Sequence, residues 1–427
     1  MAAQPAGGRE RRERRRASVE TVVAILALAV VTLATAPAHA AIERTTVLDD
    51  LAFPTNLAFA PDGRLFFTEK NTGNVRVVTA DGRLDPEPFA RFPVVNEGET
   101  GMLGIALHPR FQREPWVYLY YSDAVSGNNV LARVRERNGR AAETSQLRSF
   151  LPWSAGYHNG GDLLFGPDGM LYVAVGEAHD PERAQDPQDA GGKILRFTPD
   201  GAVPPDGPFA GSAAYTIGHR NSFGLCVDPA SGDIWETENG PDVDDEVNLL
   251  RAGENYGWPE VTGDSDGRFA DPVAIFPTPE ALTGCAVWRG ALWFGAANTS
   301  TVYRMPLGGP DAAPRVAATF DAPVIDVAVG PDDALWVATA AAIVRLEDDA
   351  AGDRTPTATP TPTQPPTASP TDREPVVMPE RNTPDGGTSP LVPLVAAALI
   401  AIALWVRLRT ARTLARAARD PSSNEPD

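Results

Sequence analysis

The chain has few cysteines, few long helical patterns and no excess of positive charge. Only two of its 427 residues are cysteine, too few for a fold built on a disulfide framework. The formal net charge of −19 argues against nucleic acid as a partner, because a phosphate backbone would be repelled. Proline (41) and glycine (38) are abundant, and both favour turns over helices. The composition therefore predicts an all-β fold with many turns.

Long apolar runs occur only near the two ends of the chain. Near the N-terminus, an arginine-rich cluster at residues 9–16 is followed by an apolar run at 22–34 and the small-residue pattern Ala38-His39-Ala40. This order is typical of a secretory signal, so we predict that residues 1–40 are a signal peptide. An uncleaved N-terminal anchor is the alternative, although the run is short for a membrane span.

The C-terminal part of the sequence has the composition of a stalk and an anchor. Residues 350–390 are rich in threonine and proline and cannot form a packed core. Residues 391–406 are apolar and are followed by a basic tail at 407–427, which predicts one transmembrane helix with its arginines in the cytoplasm. The predicted layout is an exported domain, at the cell surface or the periplasmic side, anchored in the cytoplasmic membrane.

The body of the chain, residues 41–349, repeats one pattern: an apolar strand, a turn resembling Pro-Asp-Gly, and a second apolar strand. The six copies begin at Leu57, Ile105, Leu163, Leu225, Cys285 and Val327. Repeats of this size are typical of propeller blades, so six copies predict a six-bladed β-propeller. A strand near Thr45 is expected to complete the last blade. A β-sandwich is the alternative, but six copies of similar size argue against it.

The two cysteines, Cys226 and Cys285, lie at equivalent positions of the fourth and fifth repeats. Although the domain is predicted to be exported, we interpret them as buried small apolar side chains rather than as a disulfide.

Three long polar inserts interrupt the repeats, at residues 153–162, 176–193 and 218–259. The third contains five acidic residues within nine positions, from Glu238 to Glu246, around a Gly240-Pro241 turn. Packed carboxylates and the carbonyls of an irregular loop suit Ca²⁺. A solvated acidic loop is the alternative interpretation.

Two further polar residues in these inserts are candidates for chemistry. His158 lies among glycines just before the third repeat, where it can act as a general base or serve a structural role. Arg220 precedes the fourth repeat, and its guanidinium suits carboxylate or quinone oxygens, or alternatively ties loops together. For Gln185 and Lys193 we favour a role in holding the loop.

Several motifs together resemble the glucose/sorbosone dehydrogenase family over roughly residues 51–346. They are Gly101–Pro109, His158-Asn159-Gly160-Gly161, Gly192–Arg196, Arg220-Asn221 and the acidic segment that ends in Asn255-Tyr256-Gly257-Trp258-Pro259. The resemblance implies a quinoprotein aldose sugar dehydrogenase, with pyrroloquinoline quinone (PQQ) and Ca²⁺ bound over the propeller channel.

The resemblance also implies a role for each matching residue. His158 matches the base that takes the proton of a sugar C1 hydroxyl while hydride passes to the quinone. Arg220 and Asn221 match residues beside the quinone. Glu99 and Thr283 fall where the family places polar residues near the cofactor. The implied calcium ligands are the backbone oxygens of Gly240 and Pro241, with Asp245 and Tyr256.

The sequence departs from the family in its cations. Asn298 stands nearest to the usual lysine of the fifth blade, and residues 323–327 lack the two arginines of the sixth. Each missing charge-assisted hydrogen bond is worth about 1.5–3 kcal/mol. An alternative is therefore a calcium-stabilised propeller without cofactor that serves as a surface binding module. It would gain support if no other lysine or arginine side chain, such as Arg289 or Arg304, reached the channel. A lactone hydrolase is a third alternative.

Overall fold

A computed structural model describes residues 42–152, 156–308 and 312–348. The predicted signal peptide, the stalk region at 350–390, the apolar run at 391–406 and the basic tail lie outside these residues. Within them, no helix has the length and apolar character needed to cross a membrane.

The described chain forms twenty-four strands arranged as six antiparallel sheets of four strands each. The first strand is β1 (Ile42–Leu48). Blade 1 consists of β2 (Pro54–Phe59), β3 (Leu65–Glu69), β4 (Asn74–Val78) and β5 (Ala90–Arg91). Blade 2 consists of β6 (Met102–Leu107), β7 (Trp116–Ser122), β8 (Asn128–Arg137) and β9 (Arg140–Pro152).

The next two blades hold most of the predicted site residues. Blade 3 consists of β10 (Leu163–Phe165), β11 (Leu171–Val175), β12 (Lys193–Phe197) and β13 (Ala214–Ile217), with a 3₁₀ turn at Pro181–Gln185 between β11 and β12. Blade 4 consists of β14 (Ser222–Val227), β15 (Ile234–Glu238), β16 (Asp245–Leu250) and β17 (Ala274–Phe276).

The last two blades complete the ring. Blade 5 consists of β18 (Leu282–Trp288), β19 (Ala291–Ala296), β20 (Thr301–Pro306) and β21 (Arg315–Thr319). Blade 6 consists of β22 (Val324–Val329), β23 (Leu335–Thr339), β24 (Ile343–Asp348) and the N-terminal β1.

The predicted six-bladed propeller and its closure by the N-terminal strand are both confirmed. Strand β1 pairs with β24, with Ile42 opposite Asp348. The Pro-Asp-Gly turns join the first two strands of their blades, where Gly63 and Gly169 adopt positive φ angles of 89° and 74°. A residue with a side chain is disfavoured in this conformation, which explains glycine there. The repeated turns thus set the repeated hairpins.

The apolar core lies between neighbouring blades. One cluster joins blades 1 and 2 through residues such as Phe66, Phe111 and Leu119. A second joins blades 2 and 3 through residues such as Tyr118, Tyr120 and Val173. Because each blade covers a face of the next, a single blade has no complete core, and the ring is stable only when closed.

The prediction for the two cysteines was wrong, because Cys226 and Cys285 form a disulfide with a Cα–Cα distance of 5.7 Å. They lie on β14 and β18, the innermost strands of adjacent blades. Blades converge toward the propeller axis, so equivalent residues on neighbouring innermost strands come within disulfide distance. The 59 residues between them in sequence conceal this proximity.

Three side chains cross the central channel. The Nδ2 atom of Asn56 lies 3.1 Å from Asp162 Oδ1 and 3.3 Å from Asp326 Oδ2, which joins blades 1, 3 and 6. Below this crossing the channel widens into a cavity of about 350 Å³ with mostly apolar walls. The innermost strands begin on the other side of the crossing, at what we call the upper face, and the predicted site residues lie there.

Candidate active site

His158 stands immediately before blade 3 at the upper face and is paired with a buried carboxylate. Its Nδ1 atom lies 2.7 Å from Oε1 of Glu177, which follows β11. The other Glu177 oxygen accepts a hydrogen bond from the Asp180 N–H at 2.9 Å. Since a carboxylate accepts, Nδ1 carries the proton and the lone pair of the ring is on Nε2. No protein partner of Nε2 occurs among the described residues.

Glu99 ties three blades together at this point. Its Oε2 atom accepts hydrogen bonds from the His158 backbone N–H at 2.7 Å and from Asn221 Nδ2 at 3.1 Å. Lys70 lies nearby and donates to Asn96 Oδ1 at 2.8 Å. Burial lowers the pKa of Lys70 to about 8, although the charge of Glu99 opposes this change. The structure therefore brings Glu99, His158 and Asn221 together as the resemblance implies.

Arg220 lies beside this group and is largely enclosed. Its Nη1 atom donates to the Asn239 carbonyl at 2.9 Å, and its guanidinium lies 5.5 Å from the ring centre of Trp258. Burial lowers the pKa of Arg220, while the carboxylates of Glu177 and Glu99 favour its charged form. Among the described residues, one of its several side-chain N–H donors has a hydrogen-bond acceptor, so the others can bind a ligand.

The Gly240-Pro241 loop is shaped by Asp245. The Asp245 carboxylate accepts backbone N–H bonds from Gly240 at 2.9 Å, Glu280 at 2.8 Å and Ala281 at 2.7 Å. A Cβ atom on Gly240 would lie 2.0 Å from the Val243 carbonyl oxygen, so the loop closes only around glycine. Asp245 therefore orients the loop, and its role as a direct metal ligand stays a prediction.

Tyr256 lies beside a buried acidic cluster, of which our sequence analysis singled out only Glu238 and Glu246. The cluster consists of His219, Glu236, Glu238, Glu246 and Asn248, all buried.

Contacts within the acidic cluster leave some oxygens without partners. His219 Nδ1 lies 2.9 Å from Glu238 Oε2, and its ring stacks on Tyr256 at 4.7 Å. Oε1 of Glu236 and Oδ1 of Asn248 are buried without a hydrogen-bond partner. Burial raises the pKa of Glu236 to about 8.

Beside the acidic cluster is a small cavity of about 10 Å³, lined in part by Gly240, Glu238, Glu246 and Tyr256. It has room for about one water molecule or ion. Burial raises the pKa of Glu238 and of Glu246 to about 7 in each case. A cation in this cavity would offset that desolvation. The alternating acidic residues of β15 were the available sequence signal, and we did not use it.

The remaining residues named from the sequence lie on blade 5. Thr283 is buried on β18, where its hydroxyl donates to the Val324 carbonyl at 3.1 Å and links blades 5 and 6. Asn298 is in the β19–β20 turn and donates to the Pro279 carbonyl at 3.2 Å. Arg289 pairs with Asp333 at 3.2 Å, and Arg304 lies 5.9 Å from the ring centre of Trp293. Neither arginine reaches the channel mouth.

Loop roles for two residues of the second insert agree with the structure. Lys193 Nζ donates to the carbonyls of Arg183 at 2.6 Å and Gly191 at 2.6 Å. Gln185 Nε2 donates to the Trp258 carbonyl at 2.6 Å. The same insert contains Glu177, which sequence reasoning missed because nothing local marks a carboxylate as the partner of a histidine 19 residues away.

A family model described as Glucose / Sorbosone dehydrogenase matches residues 51–346. The chain belongs to the glucose/sorbosone dehydrogenase family. A solved PQQ-bound aldose sugar dehydrogenase from Streptomyces coelicolor is 34% identical, with a TM-score of 0.68 over 73% of this chain and 99% of that one.

Two curated relatives extend the family comparison. Quinoprotein glucose dehydrogenase B of Acinetobacter calcoaceticus is 32% identical over 52% of this chain and 54% of its own length. Aldose sugar dehydrogenase YliI of Escherichia coli is 29% identical over 71% of this chain and 91% of its own length.

Proposed function

We propose that this protein is a quinoprotein dehydrogenase that oxidises the C1 hydroxyl of an aldose sugar with PQQ. The observation that carries the proposal is the pairing of His158 with Glu177 at the channel mouth, beside Arg220. Membership of the family supports the class of reaction. A sugar dehydrogenase of the PQQ-type propeller family is thus the function that the site supports best.

His158 is the proposed base. Glu177 accepts a hydrogen bond from the Nδ1–H group of His158. The lone pair on Nε2 can therefore take the hydroxyl proton of the sugar. The imidazolium that forms is stabilised by the adjacent Glu177 carboxylate, in the way that an orienting carboxylate acts in other base–carboxylate pairs. Glu99 accepts a hydrogen bond from the His158 backbone N–H and so fixes the position of the backbone that carries the His158 side chain.

The residues of the upper face fit PQQ on the side of Arg220 and Asn221, but less well on the side of blades 5 and 6. When bound, PQQ would supply the acceptor for the hydride that leaves the sugar carbon. Arg220 has N–H donors available for its oxygens, and Asn221 lies next to it. The corresponding places on blades 5 and 6 hold Asn298 and residues 323–327, without cations. Arg220 would therefore carry more of the cofactor's negative charge than in a site with three further cations.

Calcium is proposed at the Gly240-Pro241 loop, whose carbonyls Asp245 helps to position. Oxygen ligands in an irregular loop suit this ion. Gly240 and Tyr256, two of the four predicted ligands, line the same ion-sized cavity together with Glu238 and Glu246. Calcium would neutralise carboxylates that are otherwise buried with raised pKa values.

Export is proposed from the sequence ends and is supported by the disulfide. Cysteines in reducing compartments seldom remain paired, whereas Cys226 and Cys285 are bonded. The proposed location is the cell surface or periplasmic side of the cytoplasmic membrane, with the segment at 391–406 as anchor. Electrons would then leave to an acceptor at the membrane.

The test is a titration of the purified protein with PQQ and Ca²⁺, followed by dye reduction with a panel of aldoses. We expect micromolar or tighter binding and sugar-dependent reduction that falls by about 100-fold or more in His158→Ala. His108→Gln is the control, because His108 is buried on blade 2 beside Glu114, away from the site.

A second candidate is a calcium-stabilised propeller without cofactor, acting as a surface binding module. It is favoured by the positions of Arg289 and Arg304, neither of which reaches the channel mouth. Thermal stabilisation by Ca²⁺ without PQQ binding or sugar oxidation would support this candidate and reject the dehydrogenase.

A further inference from the structure

His179 lies at the mouth of the site and has no role in the chemistry described above. Its ring stacks on the His158 ring, with centroids 4.1 Å apart and planes inclined by 22°. The Tyr157 ring meets His179 edge-on at 5.9 Å. His158 is buried whereas His179 is exposed, so one imidazole covers a face of the other against solvent.

The backbone around His179 is arranged to produce this stack. Ala178 and His179 have φ angles of 55° and 59°, and the Ala178 N–H donates to the His158 carbonyl at 3.1 Å. His158 itself has a φ of 57°. Side chains are disfavoured in this left-handed region, where glycine is the usual residue. This backbone path places the His179 ring over the face of His158.

The charges that face His179 come from groups on several elements. They belong to His158, Glu177, Glu99 and Arg220, with Tyr157 as the neutral edge. Burial and a positive charge on His158 lower the pKa of His179, whereas the two carboxylates raise it. Two stacked imidazoles do not readily carry a proton each, because like charges in contact repel. The carboxylate of Glu177 contacts the His158 ring directly, at Nδ1.

We propose that His179 is a positioning residue whose ring holds the His158 imidazole in the plane set by Glu177 and shields one of its faces from water. This inference rests on the proposed function, since it concerns the base of that reaction. The ring is held at two points, by its Cβ–Cγ bond and by the contact of Nδ1 with Glu177, and these still allow its plane to tilt. The stack with His179 limits this tilt, so Nε2 stays directed toward the sugar.

Two variants distinguish a role of ring stacking from a role of the titrating imidazole group of His179. His179→Phe keeps a flat ring without a titrating group, and His179→Ala removes the ring. We expect kcat to fall by about 10-fold in His179→Ala, with little change in KM, because the base is displaced rather than the sugar site. His179→Phe is expected to recover most of the loss. Asn138→Ala is the control, since Asn138 also has a positive φ of 55° but lies in a distant hairpin.

A second measurement does not depend on activity or cofactor. The chain has five histidines, so the ring signals of His158 can be assigned by nitrogen-detected NMR in the full-length protein. We expect the Nδ1 proton held by Glu177 to exchange slowly in the wild type and in His179→Phe, and to be lost from the spectrum in His179→Ala.

The outcomes decide between the alternatives. Equal kcat and equal Nδ1 signals in all three proteins would overturn the proposal. Equal loss of kcat in both variants would also overturn it, because the imidazole would then act as an acid or base in its own right. If the wild type oxidises no sugar, the proposed function fails. In that case the NMR comparison alone tests the role of His179. Loss of the His158 Nδ1 proton signal in His179→Ala, but not in His179→Phe, would support the positioning role.

Discussion

At the residue scale, the site depends on one hydrogen bond between a histidine and a carboxylate. The Glu177 carboxylate is 1% exposed and accepts from His158 Nδ1 and from the Asp180 N–H. Because it accepts at Nδ1, it selects the tautomer with a free Nε2. The base is therefore defined by a residue in a different insert from the histidine itself.

The Glu177→Gln variant tests this dependence. Glutamine has nearly the same size, but its amide can donate to Nδ1 and stabilise the wrong tautomer. We expect kcat for sugar oxidation to fall by about 100-fold, with the thermal midpoint nearly unchanged. Asp180→Asn on the same loop is the matched control and is expected to retain activity. Full activity in Glu177→Gln would reject the role given to Glu177.

At the element scale, the contact between blades 4 and 5 is covalent. The disulfide joins innermost strands that are 59 residues apart in sequence. A cross-link over a loop of this size mainly restricts the unfolded chain, although enthalpic accounts also exist. Blades 4 and 5 pack through an apolar interface and are also joined covalently where their innermost strands line the channel.

Reduction of this disulfide is expected to lower the free energy of unfolding by about 2 to 5 kcal/mol. The measurement is denaturant unfolding with and without a thiol reductant. A Cys226→Ala, Cys285→Ala double variant should match the reduced protein and show no further response to reductant. A wild-type curve that does not move on verified reduction would contradict the expectation.

At the scale of the whole molecule, the ring is also joined across its axis by Asn56, Asp162 and Asp326. Asp162 Oδ2 accepts the Leu225 N–H at 2.6 Å, and Asp326 Oδ2 accepts the Leu57 N–H at 2.8 Å, so several blades contribute. Burial raises the pKa of Asp162 to about 6. Burial and the nearby Asp162 raise the pKa of Asp326 well above its ordinary value. The folded channel therefore retains a proton that the unfolded chain releases.

This retained proton makes stability depend on pH. Because the folded pKa values exceed the unfolded ones, the contribution is present near pH 4 and is lost as pH rises through about 6. We expect the free energy of unfolding to fall more in wild type than in Asp326→Asn between pH 5 and pH 8, because the variant lacks one of the two titrating carboxyl groups. Chemical denaturation at the two pH values gives this difference. Parallel losses in the two proteins would show that the pair does not titrate in this range.

Parts of the fold and site were predictable because they depend on local pattern. The strand–turn–strand repeats predicted the six blades, and the N-terminal strand was expected to close the ring, as β1 does. The motifs at His158, Arg220 and Gly240 marked the inserts that meet at the upper face. The disulfide was misjudged, and Glu177, His179 and the place of His219 and Glu236 in the acidic cluster were missed, because each depends on a contact between different strands or inserts.

The sequence by itself determined the repeat, the closing strand, the family and the residues His158 and Arg220, because turn chemistry, apolar alternation and short motifs are local properties. The tertiary structure alone decided how those residues act. It paired Cys226 with Cys285, set Glu177 against His158 and placed Asp245 behind the Gly240 loop. The physical reason is that a propeller brings distant segments together around one axis. Hydrogen bonding, burial and charge at the site follow from that convergence, which no single stretch of sequence contains.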